Sequence, residues 1–186
     1  MNKAALVVLL LFLASACKEV SFPEPQPKGR RSLSSIPQKL QGKYLPYQDN
    51  GELSRDTIVI TRNGYRFGYY EPVPVSNHRD EYEEGILSDS LVLKSYRGYY
   101  FLNLLERKEW LLRVIRQQRN GDLTYLTMEQ ENVDFNDYIR KLSYELPIDS
   151  VQAGDDMLYR IDPSPSKLVE LIEKGFFTKT ELKKIH

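Results

Sequence analysis

The sequence predicts an α+β protein that is mainly β: an antiparallel meander forming a barrel-like or strongly curved sheet, with two short helices near the C-terminus. Asn-Gly pairs recur at residues 50–51, 63–64 and 120–121, and Asn-Gly between alternating segments is typical of tight β-hairpins. Thirteen tyrosines and seven phenylalanines in 186 residues also favour strands. Consecutive short antiparallel strands tend to curl, because closure limits exposed edges.

The predicted strands follow in order from these turns. Residues 57–62 and 65–70 flank Asn63-Gly64, residues 86–96 and 99–105 flank Arg97-Gly98, and residues 110–118 and 123–128 flank Asn120-Gly121. With further strands over residues 157–161 and 177–185, the sequence predicts seven or eight strands. The last strand has an alternative, since Thr178 and Glu181 have the spacing of a helix capping box.

The first predicted helix lies within residues 134–146, where apolar side chains recur at helical spacing after a capping Asp134. A strand over residues 140–146 is the alternative, because Leu142, Tyr144 and Leu146 alternate with polar residues. The sequence leaves the choice open but favours the helix.

The second predicted helix has clearer boundaries. Ser164 can cap it, Pro165 suits its first position, and Gly175 can end it with a positive φ. The apolar residues Leu168, Leu171 and Ile172 between these boundaries form one face.

The N-terminal segment has the order of a secretory signal peptide: Lys3 supplies positive charge, residues 4–13 are apolar, and residues 14–16 are small. Cys17 follows directly, an arrangement that resembles the lipobox of bacterial lipoproteins, although Ala14 stands where that family usually has leucine. The resemblance implies that residues 1–16 are removed, that Cys17 becomes the lipidated first residue, and that the lipid bilayer is a partner. Lys18 after the cysteine implies the outer membrane, and either face remains possible.

Cys17 is the only cysteine, so the chain has no internal disulfide, and a covalent anchor explains a lone cysteine at this place. Each buried lipid CH₂ contributes about 0.8 kcal/mol, so the several chains that bacterial lipoproteins carry hold more firmly than one. A transmembrane anchor, or an ordinary signal peptide with an incidental Cys17, is the alternative.

Residues 17–39 are interpreted as the lipidated cysteine and a Pro-rich tether, and residues 40–186 as a single globular domain. Alternating prolines keep a chain extended at about 3.1 Å per residue. The segment also contains apolar residues that could pack on the domain as a strap. The prolines are Pro23, Pro25, Pro27 and Pro37, and the apolar residues are Val20, Phe22, Leu33 and Ile36.

The charge balance excludes some partners. The chain has 26 basic and 26 acidic residues, whereas nucleic-acid binding needs a basic face. The same balance argues against an electrostatic contact with the membrane beyond the anchor.

Catalytic and metal-binding motifs are absent from the sequence. The acidic loop around His78, with Asp80, Glu81 and Glu83, lacks the ligand pattern of a zinc or calcium site and is interpreted as solvated. Residues 132–137 lack the glycine and the bidentate glutamate of a calcium loop. No GxSxG or glycine-rich phosphate motif occurs. We therefore expect no catalytic residue, no metal and no cofactor.

The aromatic strands are the candidate binding surface. Tyr65, Tyr69, Tyr96, Tyr100 and Trp110 could stack on a sugar, a peptide or another ring if they face a cavity. The alternative is cross-strand packing of tyrosines on a curved sheet.

The whole plan, a lipobox, a Pro-rich segment, the LQGKY opening, a β domain and a closing helix, resembles small envelope lipoproteins that mostly lack assigned activity. The resemblance implies a membrane-anchored, non-enzymatic envelope lipoprotein that binds a partner protein or supports the cell envelope. The alternative is a carrier of a small ligand (a lipid, sugar or peptide) in the barrel interior. A third hypothesis, an envelope hydrolase, requires a cleft where two carboxylates, or His78 and a carboxylate, converge.

Overall fold

The computed structural model describes residues 18–48, 50–69, 82–128, 134–154 and 156–185. These residues form twelve strands and two α-helices, which confirms the predicted mainly β fold class. The strands are β1 (Lys18–Ser21), β2 (Gly42–Pro46), β3 (Asp56–Ile60), β4 (Gly64–Tyr69), β5 (Tyr82–Ile86), β6 (Leu91–Tyr96), β7 (Tyr99–Glu106), β8 (Glu109–Gln117), β9 (Leu123–Thr127), β10 (Asp149–Ala153), β11 (Asp156–Arg160) and β12 (Thr178–Ile185). The helices are α1 (Phe135–Ser143) and α2 (Pro165–Glu173), and a 3-10 helix spans Gln38–Leu40.

Nine strands form one nearly closed, antiparallel, barrel-like sheet in the order β5-β4-β3-β2-β12-β9-β8-β7-β6. Most neighbours are consecutive in the chain, as a meander requires, but β12 lies between β2 and β9. The last strand of the chain is therefore the middle strand of the sheet. A second, three-stranded sheet has the order β1-β11-β10.

The predicted Asn63-Gly64 turn is misplaced by one residue. The β3–β4 turn is closed by the Thr61 amide, which donates to the Gly64 carbonyl at 2.8 Å, so Gly64 already belongs to β4. A Cβ at Gly64 would lie 2.0 Å from the carbonyl oxygen of Gly85 on β5. Gly64 is therefore required by the close approach of two strands. The turn does not require a positive φ at Gly64, and Gly64 does not have one.

The two-residue turns with positive φ at both positions occur elsewhere. Arg97 and Gly98 have φ values of 48° and 81° between β6 and β7, and Arg107 and Lys108 have values of 48° and 74° between β7 and β8. This backbone matches the right-handed twist of the flanking strands. At Asn120-Gly121 only the glycine has a positive φ, of 94°.

The prediction of one strand over residues 86–96 is wrong. β5 ends at Ile86 and β6 begins at Leu91. Between them the Ser88 amide donates to the Leu91 carbonyl at 3.0 Å, which turns the chain from one strand to the other.

Both predicted helices are confirmed. The Asp134 carboxylate accepts a hydrogen bond from the Asn136 amide at the start of α1, and the Ser164 hydroxyl accepts one from the Lys167 amide at the start of α2. Pro165 occupies the first turn of α2, and Gly175 follows its end with a φ of 80°. In the part of the chain that the structure describes, no helix is both long and apolar enough to span a bilayer.

The segment interpreted as a tether lies against the folded domain from Lys18 onward. β1 pairs in parallel with β11, and Phe22 forms an antiparallel bridge with Trp110 on β8. Residues 22–37, which we call the strap, then run from the outer core at Phe22, past β6 at Ser32, to the interior core at Ile36. Phe22 is fully buried. The apolar residues of this segment therefore pack on the domain, as the sequence allowed.

Polar side chains of the sheet hold the strap by its backbone. The Lys94 Nζ donates to the Pro25 carbonyl at 2.6 Å, and Asn103 both accepts from the Gln26 amide at 2.6 Å and donates to the Gln26 carbonyl at 2.8 Å. Further along, the Leu33 amide donates to the Leu93 carbonyl. The strap thereby covers the outer edge of β6.

Two apolar cores stabilise the two faces of the large sheet. One lies between its outer face, the helices and β1, and includes Phe22, Phe101, Val114, Leu142 and Leu168, each fully buried. The other fills the barrel interior with buried side chains, among them Leu40, Tyr44, Leu93, Leu123 and Leu182.

Candidate functional site

The structure distributes the predicted aromatic site over both faces of the sheet. Tyr65 and Tyr100 pack against the interior core, whereas Tyr96 and Trp110 pack against the outer core. Tyr69 lies on β4, but its side chain, like Tyr70, is outside the described residues. These residues therefore do not line one shared cavity.

Tyr96 lies at the end of β6, and two guanidinium groups lie over its ring. The carbon atom at the centre of the Arg30 guanidinium is 4.5 Å from the ring centroid, and that of Arg97 is 5.3 Å away. The Tyr96 hydroxyl lies 3.4 Å from the Ser166 Oγ. This hydrogen bond, together with the nearby Arg97 and Arg30, lowers the pKa of Tyr96.

The neighbouring Tyr99 and Tyr100 also have a cation over the ring. Arg116 lies over the Tyr99 ring at 5.2 Å and donates to its hydroxyl at 3.3 Å. Lys39 Nζ lies 5.2 Å from the centroid of Tyr100. Attraction between a cation and the negative face of an aromatic ring is typically about 0.5–1 kcal/mol at exposed sites. The tyrosines thus orient cations at the surface.

We call this surface the cationic end of the barrel. It lies around the β6–β7 turn, because Tyr96 pairs with Tyr99 and Tyr99 pairs with Arg116 across adjacent strands. Its cations are all solvent-exposed and consist of Arg30, Lys39, Arg97 and Arg116.

Among the described residues, none of these four cations forms a salt bridge. Two carboxylates of neighbouring elements are paired with lysines. Asp162 accepts from Lys28 of the strap at 2.7 Å, and Glu145 accepts from Lys167 and Lys174, each at 2.7 Å. Glu24 of the strap interacts with Lys94 of β6. The cationic end therefore presents four exposed basic side chains that are not neutralised by a described salt bridge.

Tyr65 has a different environment inside the barrel. Burial raises its pKa, Glu83 and Glu106 raise it further, and Arg113 opposes them. Trp110 is part of the outer core, and its backbone pairs with Phe22 at 2.9 and 3.0 Å. These contacts give Trp110 a structural role in attaching the N-terminal strand.

A second polar cluster joins the two sheets. Arg113 Nη1 donates to the Glu19 Oε1 at 2.8 Å, and the two side chains are 16% and 14% exposed. Glu109, whose side chain is 5% exposed, accepts from Arg160 and from the Ser21 hydroxyl. Because each carboxylate is matched to an arginine, this arrangement braces β1 and β11 against β8.

Several residues considered from the sequence lie outside the described part: Cys17, His78, Asp80 and Glu81. Glu83 lies on β5, and Asp134 caps α1. Within the described ranges, no group of three or more His, Cys, Asp or Glu side chains is placed to hold a metal ion.

The sequence-based reasoning missed the cations. A signal was present, because Arg97 directly follows Tyr96, and Arg30 follows the prolines of the strap. Searches for related proteins found no matching family model, no matching curated protein and no matching solved structure. The function must therefore be inferred from this chain's own residues.

Proposed function

We propose that this chain is a non-enzymatic lipoprotein of the bacterial cell envelope, anchored to the outer membrane through Cys17, that binds a partner. The observation that carries this proposal is the order of residues 3–17, in which Lys3, an apolar run and small residues precede Cys17. Such an anchor would hold the domain closely because of the position of Lys18. It is the first residue of β1 and pairs with Met157 on β11, so the residue after the candidate lipidation site belongs to the folded domain.

A domain attached in this way stays close to the bilayer. One extended residue spans only about 3.3 Å, whereas a free segment of some twenty residues would allow the domain to move tens of ångströms away. We therefore expect the partner to lie at the membrane surface.

The ion pairs inside the fold join its two sheets. Glu109 and Glu19 are each paired with an arginine at the junction of the two sheets. Both pairs join β1 and β11 to β8, so these buried charged side chains have a structural role.

The anchor can be tested by growing cells with labelled palmitate and recovering the protein. We expect label in the wild type, none in Cys17→Ser, and wild-type protein in the outer-membrane fraction. Equal labelling of both proteins, or a mature chain that still begins at Met1, contradicts the proposal. Crosslinking in intact cells, followed by purification from solubilised envelopes, then tests for a partner.

The barrel-like fold is compatible with the alternative, binding of a small ligand in the interior. Much of that interior is occupied, since Leu40, Leu93 and Leu123 are at most 2% exposed. The half-buried Tyr65 and Tyr125 also pack against these residues. Native mass spectrometry of the purified protein would detect such a ligand as a bound mass lost on unfolding.

A further inference from the structure

We propose that the cationic end is a docking surface for anionic lipid headgroups, so that the anchored domain lies on the bilayer through this end. The inference rests on the proposed function, because the lipid on Cys17 brings the domain to the membrane. It goes further by naming which face contacts the bilayer and which chemistry that face recognises.

The first support is the prearranged charge. Arg30 and Arg97 lie over the Tyr96 ring at 4.5 and 5.3 Å, and Arg116 lies over Tyr99. Guanidinium groups bind phosphate oxygens through paired N–H donors. Side chains already held by an aromatic ring lose less conformational entropy when they bind.

The second support is the direction of β1. Phe22 pairs with Trp110 in antiparallel orientation, and Arg116 of β8 pairs with Tyr99 beside the β6–β7 turn. The chain from Phe22 back to Lys18 therefore lies along β8, in the direction from Trp110 to Arg116. The anchored end of β1 points towards the end of the sheet that carries Arg97.

The third support is the separation of charge. The chain as a whole has equal numbers of basic and acidic residues, which argued against an electrostatic membrane contact. Placement matters more than the sum, because exposed charges act only over about 8 Å at physiological ionic strength. An anchor without a free tether holds the first residue of β1 near the bilayer, and β1 points from there along β8 beside the cationic end.

The lone cysteine allows a direct test. When Cys17 carries lipid, a cysteine introduced elsewhere is the only free thiol. We would place a spin label at Ser95→Cys, in the exposed position next to Tyr96, or at Asp89→Cys, exposed near the other end of β6. The lipidated protein is reconstituted into phosphatidylcholine vesicles with or without phosphatidylglycerol. Relaxation by dissolved oxygen and by a water-soluble nickel complex reports the depth of each label.

We expect the Ser95→Cys label to reach headgroup depth only in vesicles with phosphatidylglycerol, and the Asp89→Cys label to remain in water in both. Arg30→Gln with Arg97→Gln should return the first label to water. Each basic residue near an anionic surface strengthens attachment roughly fivefold, so this pair of substitutions should lower the docking equilibrium constant roughly twenty-fivefold. Lys108→Gln is the matched control, since Lys108 also has a positive φ in a two-residue turn, at the opposite end of β7.

A Ser95→Cys label at equal depth in neutral and anionic vesicles overturns the inference, as does a shift caused equally by Lys108→Gln. If the mature chain carries no lipid, the anchor fails separately. Sedimentation of that mature chain with the same vesicles then decides the matter. Salt-sensitive retention on anionic vesicles that the two arginine substitutions abolish supports the docking surface, and retention that they leave unchanged overturns it.

Discussion

The ammonium group of Lys94 donates a hydrogen bond to the carbonyl oxygen of Pro25 at 2.6 Å and a second to that of Pro27 at 3.3 Å. Lys94 is only 6% exposed, and burial lowers its pKa, while Glu24 opposes this effect. The buried ammonium group therefore holds the strap at Pro25 and Pro27, where the strap is not paired with a strand.

Replacing Lys94 by methionine should destabilise the protein by about 2 kcal/mol. The substitution keeps most of the apolar stem but leaves two carbonyl groups of the strap without their donor, and an unsatisfied buried group costs about 1–3 kcal/mol. Urea unfolding would measure the change, with Lys183→Met on the exposed part of β12 as the control. Equal stability of the two variants would mean that the strap does not depend on Lys94.

The Glu109–Arg160 pair should show strong coupling. Arg160→Met leaves the Glu109 carboxylate at 5% exposure with only the Ser21 hydroxyl as its described partner, and the expected loss is about 2–3 kcal/mol. Glu109→Leu combined with Arg160→Met removes both charges and should be less destabilised than Arg160→Met alone. A double-mutant cycle by urea unfolding measures this, and simple additivity of the two losses contradicts the brace.

Stability should fall at high pH because of Tyr138. Burial raises the pKa of this phenol well above its ordinary value of 10.0, and its hydroxyl donates to the Phe176 carbonyl at 3.1 Å. The unfolded chain ionises near the ordinary value while the folded protein stays protonated, so this contribution is full below pH 10 and is lost as the pH rises. Unfolding curves from pH 8 to 11 for the wild type and Tyr138→Phe should converge at the alkaline end. A constant difference between them argues against this role.

The carboxylate of Glu170 should titrate unusually low. Hydrogen bonds from Lys174 and then Lys167 lower its pKa from 4.5 to about 2. The favourable interaction is therefore complete above pH 4.5 and is lost as the pH falls towards 2. Carbon-detected NMR titration should find the Glu170 pKa low in the wild type and closer to 4.5 in Lys174→Met. A similar value in both proteins would show that Lys174 does not determine it.

Gly64 should tolerate no side chain. A Cβ there would lie 2.0 Å from the Gly85 carbonyl oxygen, so Gly64→Ala must separate β4 from β5, and we expect a loss of about 3 kcal/mol or more. Gly29→Ala is the comparison, because a Cβ there meets nothing within 4 Å and only its φ of 69° opposes alanine. That strain costs about 1 kcal/mol. Thermal unfolding of the two variants would give the ranking, and the reverse order would contradict the close strand approach.

Sequence signals that act over a few residues predicted the two α-helices well. Asp134 and Ser164 cap helices within three residues of themselves, and Pro165 and Gly175 mark the limits of α2. The exact β3–β4 turn could not be predicted from Asn63-Gly64, because β5 determines the register by its contact with Gly64.

The strap and the cationic end depend on distant residues. Prolines suggested an extended tether, but Lys94 and Asn103, which lie 67–77 residues away in sequence, fix the backbone to the sheet. Similarly, the tyrosines were visible as a group, whereas the stacking of Arg30 on Tyr96 requires the strap to be in place. A total charge near zero carries no information about such placement.

The middle position of β12 affects how the protein can be made. Its residues Thr178–Ile185 are synthesised after the other eight strands of the large sheet, yet they hydrogen-bond to β2 on one side and β9 on the other. Without β12, the remaining strands form two separate four-stranded groups, each with an unpaired edge. Completion of the barrel must wait until β12 is available, and a nonsense codon shortly before Thr178 would leave both edges free to aggregate.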